Sequence, residues 1–266
     1  MPAKLPTPCH DPDGLRDVLA HLIAGVREPL GANYVRAYLQ GSLATGGFDD
    51  ASDVDFLIVV EQEVPADAVE RLQDFHRALY EHPSHWAQHL EGSYVPRAAL
   101  AAPPPPRRAL LYLDHGSTTF ERSDHDHYIA VLWTLRERGV ALDGPDPKTL
   151  VPPIPAEALR HEVRATMVDW AEQILGDPAE MTSWWYQAFA VLSYCRMAET
   201  LRTGEVHSKR HGAAWAKKAM DPRWRGLIDR AERQRLRPIA ELAMPADTRA
   251  VAETRSFIRY VVELRS

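Results

Sequence analysis

The sequence predicts an α/β (α+β) domain with a small mixed sheet, followed by an all-α helical bundle. Strand-like segments alternate with helical segments in the first part of the chain. A proline-rich joint at Pro152, Pro153 and Pro155 then interrupts the pattern. After this joint every long segment has the period of a helix. We therefore predict one domain over residues 1–152 and a second over residues 153–266.

The predicted elements of the first domain follow from hydrophobic periodicity. Residues 13–30 carry an apolar stripe at helical spacing, and residues 34–40 alternate as a strand does. Residues 54–60, VDFLIVV, form a nearly continuous apolar run, which is typical of a buried central strand. Further predicted elements are a helix at 66–81, a strand at 88–94, a surface loop at the prolines 103–106, a helix at 126–138 and a short strand at 140–142. In the second domain we predict helices at 156–175, 180–202, 211–219, 223–236 and 246–264.

Composition excludes several classes of protein. The chain has 266 residues, of which 45% are hydrophobic and 26% charged, as in soluble globular proteins. No apolar run approaches the roughly 20 residues of a membrane helix, and the N-terminal residues have no apolar segment typical of a secretory signal. Two distant cysteines, Cys9 and Cys195, do not indicate a disulfide framework. A net charge of −6 disfavours nucleic acid as a partner. We expect a cytoplasmic monomer without a membrane partner.

One segment, from Gly41 to Asp55, combines two features of phosphate chemistry. Gly41-Ser42 follows a predicted strand and offers backbone N–H groups and a hydroxyl to a phosphate. Asp53 and Asp55 stand two residues apart at the start of the next strand, so both carboxylates lie on one side. Such oxygens suit Mg²⁺, which shares its ligands with substrate phosphates. An isolated Asp-x-Asp is more often a solvated acidic loop, but the combination favours phosphoryl or nucleotidyl transfer.

This segment resembles the signature of the DNA polymerase β-type nucleotidyltransferase superfamily, in which Gly-Ser precedes an Asp-x-Asp that leads a strand. The resemblance implies a nucleotide site that includes Ser42 and Ser52. It also implies a third carboxylate on a later strand, and Glu91 in HLEGSYV occupies the corresponding place. From the residues alone, Glu91 could equally be a surface glutamate at a strand edge. The resemblance makes it the catalytic base.

The second half of the chain narrows the resemblance. The segments VLWTLRERGVALDGPDPKTLVPPIP and SYCRMAETLRTGEVHSKRHGAAWA are similar to those of the streptomycin/spectinomycin adenylyltransferases. This similarity implies ATP as co-substrate with Mg²⁺, a small-molecule hydroxyl as acceptor, and a site between the two domains. It also implies that Arg196 and Lys209 contact the triphosphate. From the residues alone, Arg196 lies in an apolar helix and needs an anionic partner, which could be a salt bridge or a phosphate.

The sequence differs from that family in the two segments that contact the acceptor there. The family carries a tryptophan before the 126–138 helix and acidic residues early in the long C-terminal helix. Here YLDHGSTTFERSDHDHY has no tryptophan, and EMTSWWYQAF has Trp184, Trp185 and Tyr186 in place of a carboxylate. We predict a remodelled acceptor pocket in which these aromatic side chains join Glu91 and Asp114. It should accept smaller, spectinomycin-like molecules better than streptomycin.

The sequence leaves several alternatives open. Asp124 and Asp126 could supply negative charge to the acceptor pocket or be solvated caps, and His115, His125 and His127 lack the spacing of a zinc site. The acceptor could also be another metabolite or a protein hydroxyl. A non-catalytic antitoxin or regulatory binding module is the alternative from another class, although three retained carboxylates argue against it.

Overall fold

The computed structural model describes residues 14–101, 107–177 and 182–264. Cys9, the N-terminal segment assessed for a secretory signal and the proline run 103–106 lie outside these ranges. The chain divides into two compact units. The first extends to Ile154, apart from the segment Asp49–Ala51, and the second comprises that segment and the chain from Pro155 onward. In the portion described, no helix is both long and apolar enough to cross a membrane.

A six-stranded mixed sheet forms the framework of the first unit. Its strands are β1 (Tyr34–Leu39), β2 (Val54–Val60), β3 (Leu90–Pro96), β4 (Leu110–Leu113), β5 (Phe120–Ser123) and β6 (Val140–Asp143). They are arranged in the order β5-β4-β3-β2-β1-β6. Only β2 and β3 run parallel, and every other neighbouring pair is antiparallel. The predicted mixed sheet is therefore confirmed.

Strand β2 is buried on both faces, which explains its continuous apolar sequence. Phe56 and Ile58 pack in one hydrophobic cluster together with the helices α1 (Leu15–Leu30) and α3 (Ala66–Tyr80). Leu57 and Val59 pack in another cluster on the opposite face. Three further helices belong to this unit, namely α2 (Gly41–Thr45), α4 (Arg97–Ala101) and α5 (Ile129–Arg138). Because side chains alternate along a strand, Asp53 and Asp55 lie on the same face as Leu57 and Val59, where Leu132 and Leu135 of α5 pack.

Strands β4 and β5 were not predicted. Each has four residues, which is too short for a period of two to be recognised. All four residues of β4 are buried, whereas none of the β5 side chains is fully buried. The predicted helix 126–138 begins later, at Ile129, since residues 124–128 form a turn that contributes to the site described below.

The second unit is helical, as predicted. Its helices are α6 (Ala156–Gly176), α7 (Trp184–Thr203), α8 (Lys209–Ala219), α9 (Arg225–Arg235), α10 (Ile239–Leu242) and α11 (Thr248–Glu263). The central helix is α7, which packs against all five others and is therefore apolar on most sides. At its crossing with α8, a Cβ on Gly212 would lie 2.6 Å from the Cα of Arg196. Glycine therefore permits the close approach of these two helices.

Candidate active site

The parallel pairing of β2 and β3 brings two of the predicted carboxylates together. Asp55 and Glu91 are direct partners in the strand register, so their side chains lie side by side on one face. Asp53 precedes β2 and lies on the same side as Asp55. Its side chain is 44% exposed, whereas that of Glu91 is 12% exposed. Of these two carboxylates, that of Asp53 is therefore closer to solvent and that of Glu91 is more deeply buried.

The Gly41-Ser42 turn packs directly against the Asp55 carboxylate. Gly41 has a positive φ of 56°, and a Cβ there would lie 2.0 Å from Asp55 Oδ2. Any side chain at Gly41 would thus collide with this carboxylate, which accepts a hydrogen bond from the backbone N–H of Ser42. The Ser42 hydroxyl is buried and has no hydrogen-bond partner among the described residues. It is therefore available to a ligand.

A fourth carboxylate, Asp126, belongs to the same group. Its Oδ1 accepts a hydrogen bond of 2.8 Å from Gln40 Nε2, and its Oδ2 accepts one of 2.7 Å from Ser93 Oγ. Asp126 is 4% exposed, so the interpretation as a solvated cap is wrong. The sequence around Asp126 does not indicate this role, because its two partners are distant in sequence. Gln40 directly follows β1, and Ser93 lies on β3.

Burial raises the pKa values of three carboxylates of this site. Burial raises the pKa of Asp55 to about 8, and the charges of Glu91, Asp53 and Asp126 add to the effect. Burial also raises the pKa of Glu91, against which hydrogen bonding from Tyr112 and the proximity of His125 act. The pKa of Asp126 is raised for the same primary reason. This site therefore favours bound protons or a bound cation.

Tyr112 and His125 hold the Glu91 carboxylate in place. The Tyr112 hydroxyl lies 2.5 Å from Glu91 Oε1 and 3.2 Å from Asp114 Oδ1, so it can donate to either carboxylate. His125 Nε2 lies 3.2 Å from Glu91 Oε1, and its ring stacks on that of Tyr112. Neither residue was predicted as part of the site. The structure thus brings Asp114, which was predicted as an acceptor contact, next to Glu91 through Tyr112.

The three histidines considered as a zinc cluster have separate surroundings. His115 Nε2 lies 3.3 Å from Asp53 Oδ1 and 3.0 Å from His89 Nδ1. His127 is buried, where its ring nitrogens contact the backbone N–H of Arg108 and the carbonyl of Ala99. No group of potential metal ligands among the described residues contains all three histidines.

The predicted residues of the second unit lie on α7 and α8. Trp184, Trp185 and Tyr186 form the first turn of α7, and Trp185 is 44% exposed. Its ring stacks on Phe189 with 4.9 Å between centroids. Lys209 Nζ lies 4.1 Å from the centroid of the same Phe189 ring. Trp185 and Lys209 therefore both contact the ring of Phe189.

Two family models match separate parts of the chain. A nucleotidyltransferase domain matches residues 22–96, which include β1, β2, β3 and the predicted site residues Gly41, Ser42, Asp53, Asp55 and Glu91. The C-terminal domain of aminoglycoside adenylyltransferases matches residues 149–262.

Curated relatives and a solved structure agree with these matches. A spectinomycin 9-adenylyltransferase of Staphylococcus aureus is 28% identical over 202 residues, which cover 72% of this chain and 74% of the relative. One of Campylobacter jejuni is 23% identical over 241 residues, covering 85% and 88%. The crystal structure of a spectinomycin adenyltransferase from Enterococcus faecalis with ATP and spectinomycin has the same fold, with a TM-score of 0.69 at 18% identity over 94% of this chain and 99% of that one.

The predicted resemblance is thereby confirmed in both halves of the chain. The protein is aminoglycoside adenylyltransferase-like: its first half is similar to a nucleotidyltransferase domain and its second half to the C-terminal domain of aminoglycoside adenylyltransferases.

Proposed function

We propose that this protein transfers AMP from ATP to a hydroxyl of an aminocyclitol antibiotic, with spectinomycin-like molecules as the preferred acceptors. The observation that carries the proposal is the pairing of Asp55 with Glu91 on adjacent parallel strands, beside the Gly41-Ser42 turn. The relatives support the acceptor class, since they are named spectinomycin 9-adenylyltransferases.

The donor set of the site fits magnesium. Asp53 and Asp55 offer carboxylate oxygens, the ligands that Mg²⁺ prefers. The raised pKa of Asp55 is caused first by burial and then by the neighbouring negative charges, and a bound cation would offset both. A magnesium ion held by these two carboxylates would align the triphosphate and stabilise the charge that develops on it. The free hydroxyl of Ser42 would donate to a phosphate oxygen, and Gly41 lets the chain approach closely enough for this contact.

Glu91 is suited to take the proton from the acceptor hydroxyl. Burial raises its pKa, which makes the carboxylate a stronger base than an exposed glutamate. The acceptor oxygen then forms a bond to the α-phosphorus while the bond to the pyrophosphate oxygen breaks. The hydroxyl proton moves to Glu91, and pyrophosphate departs. Tyr112 and His125 contact Glu91 Oε1 and so fix the orientation of the base.

The remaining predicted residues complete the proposal. Arg196 and Lys209 would pair with the triphosphate, as in the resembled family. Asp114 would attract the ammonium groups of the acceptor, and the aromatic rings of Trp184, Trp185 and Tyr186 would offer cation–π surfaces.

A direct assay tests the proposed reaction. The purified protein is incubated with Mg²⁺, each nucleoside triphosphate in turn, and either spectinomycin or streptomycin. Pyrophosphate release and product mass are measured, with Asp55→Asn as the inactive control. We expect ATP and spectinomycin to give an AMP adduct. If neither antibiotic is modified, the proposed acceptor class is wrong. If another nucleotide is preferred, the proposed donor is wrong.

A further inference from the structure

Three side chains that the proposed reaction does not use converge where α7 ends and α8 begins. Glu199 lies near the end of α7, His207 lies in the connection and His211 lies in the first turn of α8. One potential ligand atom of each residue lies within 4.8 Å of those of the other two. We call this group the Glu199–His cluster.

One of the two carboxylate oxygens of Glu199 has no hydrogen-bond partner among the described residues. This oxygen is Oε2, and the Glu199 side chain is only 2% exposed. A carboxylate oxygen left unpaired in the interior costs free energy unless a cation or donor reaches it. The unpartnered Oε2 atom is an observation separate from the positions of the two histidines, and a cation bound beside it would stabilise the buried carboxylate.

The distances in the cluster match a metal coordination shell. Glu199 Oε1 lies 3.2 Å from His211 Nε2 and 3.3 Å from His207 Nδ1. Around a tetrahedral Zn²⁺ with bonds of about 2.0 Å, ligand atoms are separated by about 3.3 Å. Each histidine nitrogen is therefore spaced from Glu199 Oε1 as a neighbouring ligand of one ion would be, and the two nitrogens lie within 4.8 Å of each other.

The two imidazole rings of the cluster lie side by side. The rings of His207 and His211 stack with 4.4 Å between centroids and an interplanar angle of 19°. Each ring offers one nitrogen within 4.8 Å of the potential ligand atoms of the other two residues, so both nitrogens can reach a single divalent cation.

We propose that Glu199, His207 and His211 bind one Zn²⁺ ion, which fastens the end of α7 to the start of α8. Two imidazoles and one carboxylate are a known zinc ligand set, whereas Mg²⁺ and Ca²⁺ prefer oxygen ligands alone. Glu205 Oε2 lies 3.4 Å from His207 Nε2, the ring nitrogen that faces away from Glu199, and so holds the ring in orientation. The negative end of the α7 dipole adds attraction for a cation.

Two other groups of potential ligands provide internal controls. Asp17, His21 and His82 form one group, in which the side chains of Asp17 and His21 are more than half exposed. Asp53, His89 and His115 form the other, at the candidate active site. Neither belongs to the second unit, so substitutions there leave the Glu199–His cluster unaltered.

The test titrates Zn²⁺ alone into the full chain after chelator treatment, by isothermal calorimetry. The wild type is compared with His207→Ala and His211→Ala, and with His21→Ala and His115→Ala as controls. Each cluster variant should lose one bound equivalent or bind it at least about tenfold more weakly, while both controls retain that equivalent. Co²⁺ should give a visible absorption spectrum of a tetrahedral site that both cluster variants lose.

Thermal unfolding separates loss of metal from loss of fold. The His211 side chain is 57% exposed, so the metal-free His211→Ala variant should unfold at nearly the wild-type temperature. Added Zn²⁺ should raise the unfolding temperature of the wild type but not of this variant. Absence of saturable Zn²⁺ binding would overturn the proposal, as would binding that is unchanged in both cluster variants or lost only in His115→Ala. The test does not use turnover, so it is independent of the proposed transferase activity.

Discussion

The two units of this protein fix their charged groups by different means. In the first unit, Asp55 and Glu91 are held by backbone register, since they are partners on paired strands. In the second unit, Lys209 and Arg196 project from helices, and their surroundings are side-chain and helix-packing contacts such as the Phe189 ring and Gly212. A group fixed by backbone keeps its position when a neighbouring side chain changes, whereas a group fixed by packing does not. Conservative substitutions of Asp55 or Glu91 should therefore reduce activity without unfolding the protein.

The largest effect is expected at the paired aspartates. Asp53→Asn or Asp55→Asn should reduce AMP transfer to background while the protein stays folded, because each change removes a proposed metal ligand and neither aspartate supplies apolar packing. Initial rates and circular dichroism provide the measurement. Asp50→Asn, in the exposed part of the same loop, is the matched control. Near-normal turnover in either variant would remove that residue from the metal site.

Glu91→Gln should have the next largest effect. We expect turnover to fall by about 10²–10⁴-fold, the usual range for loss of a general base. Binding of ATP with Mg²⁺, measured by calorimetry, should be retained, because the base does not hold the nucleotide. Glu121→Gln, an exposed substitution on β5, should change neither quantity. Normal turnover of Glu91→Gln would mean that another group accepts the proton.

Lys209→Ala tests the helical unit and should have a smaller effect. Loss of one charge-assisted contact with phosphate should weaken ATP binding by roughly 1–3 kcal/mol. Calorimetry with ATP and Mg²⁺ measures the change, and Lys218→Ala, exposed on the same helix, serves as the control. An unchanged affinity would mean that Lys209 does not contact the triphosphate.

The last comparison concerns stability rather than activity, namely a pH dependence of unfolding without metal. Burial and neighbouring carboxylates raise the pKa of Asp55 from an ordinary 3.8 to about 8 in the folded protein. Between these values the folded state binds more protons than the unfolded state, so stability should fall as pH rises through this interval. Unfolding temperatures across that range should decline less in Asp55→Asn. Equal slopes for the two proteins would contradict the raised pKa.

The same Asp55 pKa predicts that magnesium binding releases protons. At pH 7 a group with a pKa of about 8 is mostly protonated, and a carboxylate must lose its proton to bind a metal. Calorimetry in buffers of different ionisation enthalpy measures the number released, which should fall as the pH is raised above 8.

The comparison also shows why the sequence revealed some features and not others. Asp53, Asp55 and strand β2 are local in sequence, so spacing and apolar character predicted them. Asp126 could not be recognised, because its burial depends on Gln40 and Ser93, which lie 86 and 33 residues away. Tyr112 was missed because the four-residue β4 gave no period, and His125 was missed because it lies in the turn that follows the equally short β5. In the Glu199–His cluster, His207 and His211 are close in sequence, but the carboxylate that completes the group comes from a different helix.

The contact between Gly41 and the Asp55 carboxylate limits how this protein can change during evolution. Every missense change of the Gly41 codon adds a Cβ, which would occupy the space of that carboxylate. We therefore expect no substitution of Gly41 to be neutral, even under strong selection for a new acceptor. Variation that broadens or shifts acceptor choice should accumulate elsewhere, for instance at the exposed Trp185 on α7, where substitutions leave the carboxylates in place.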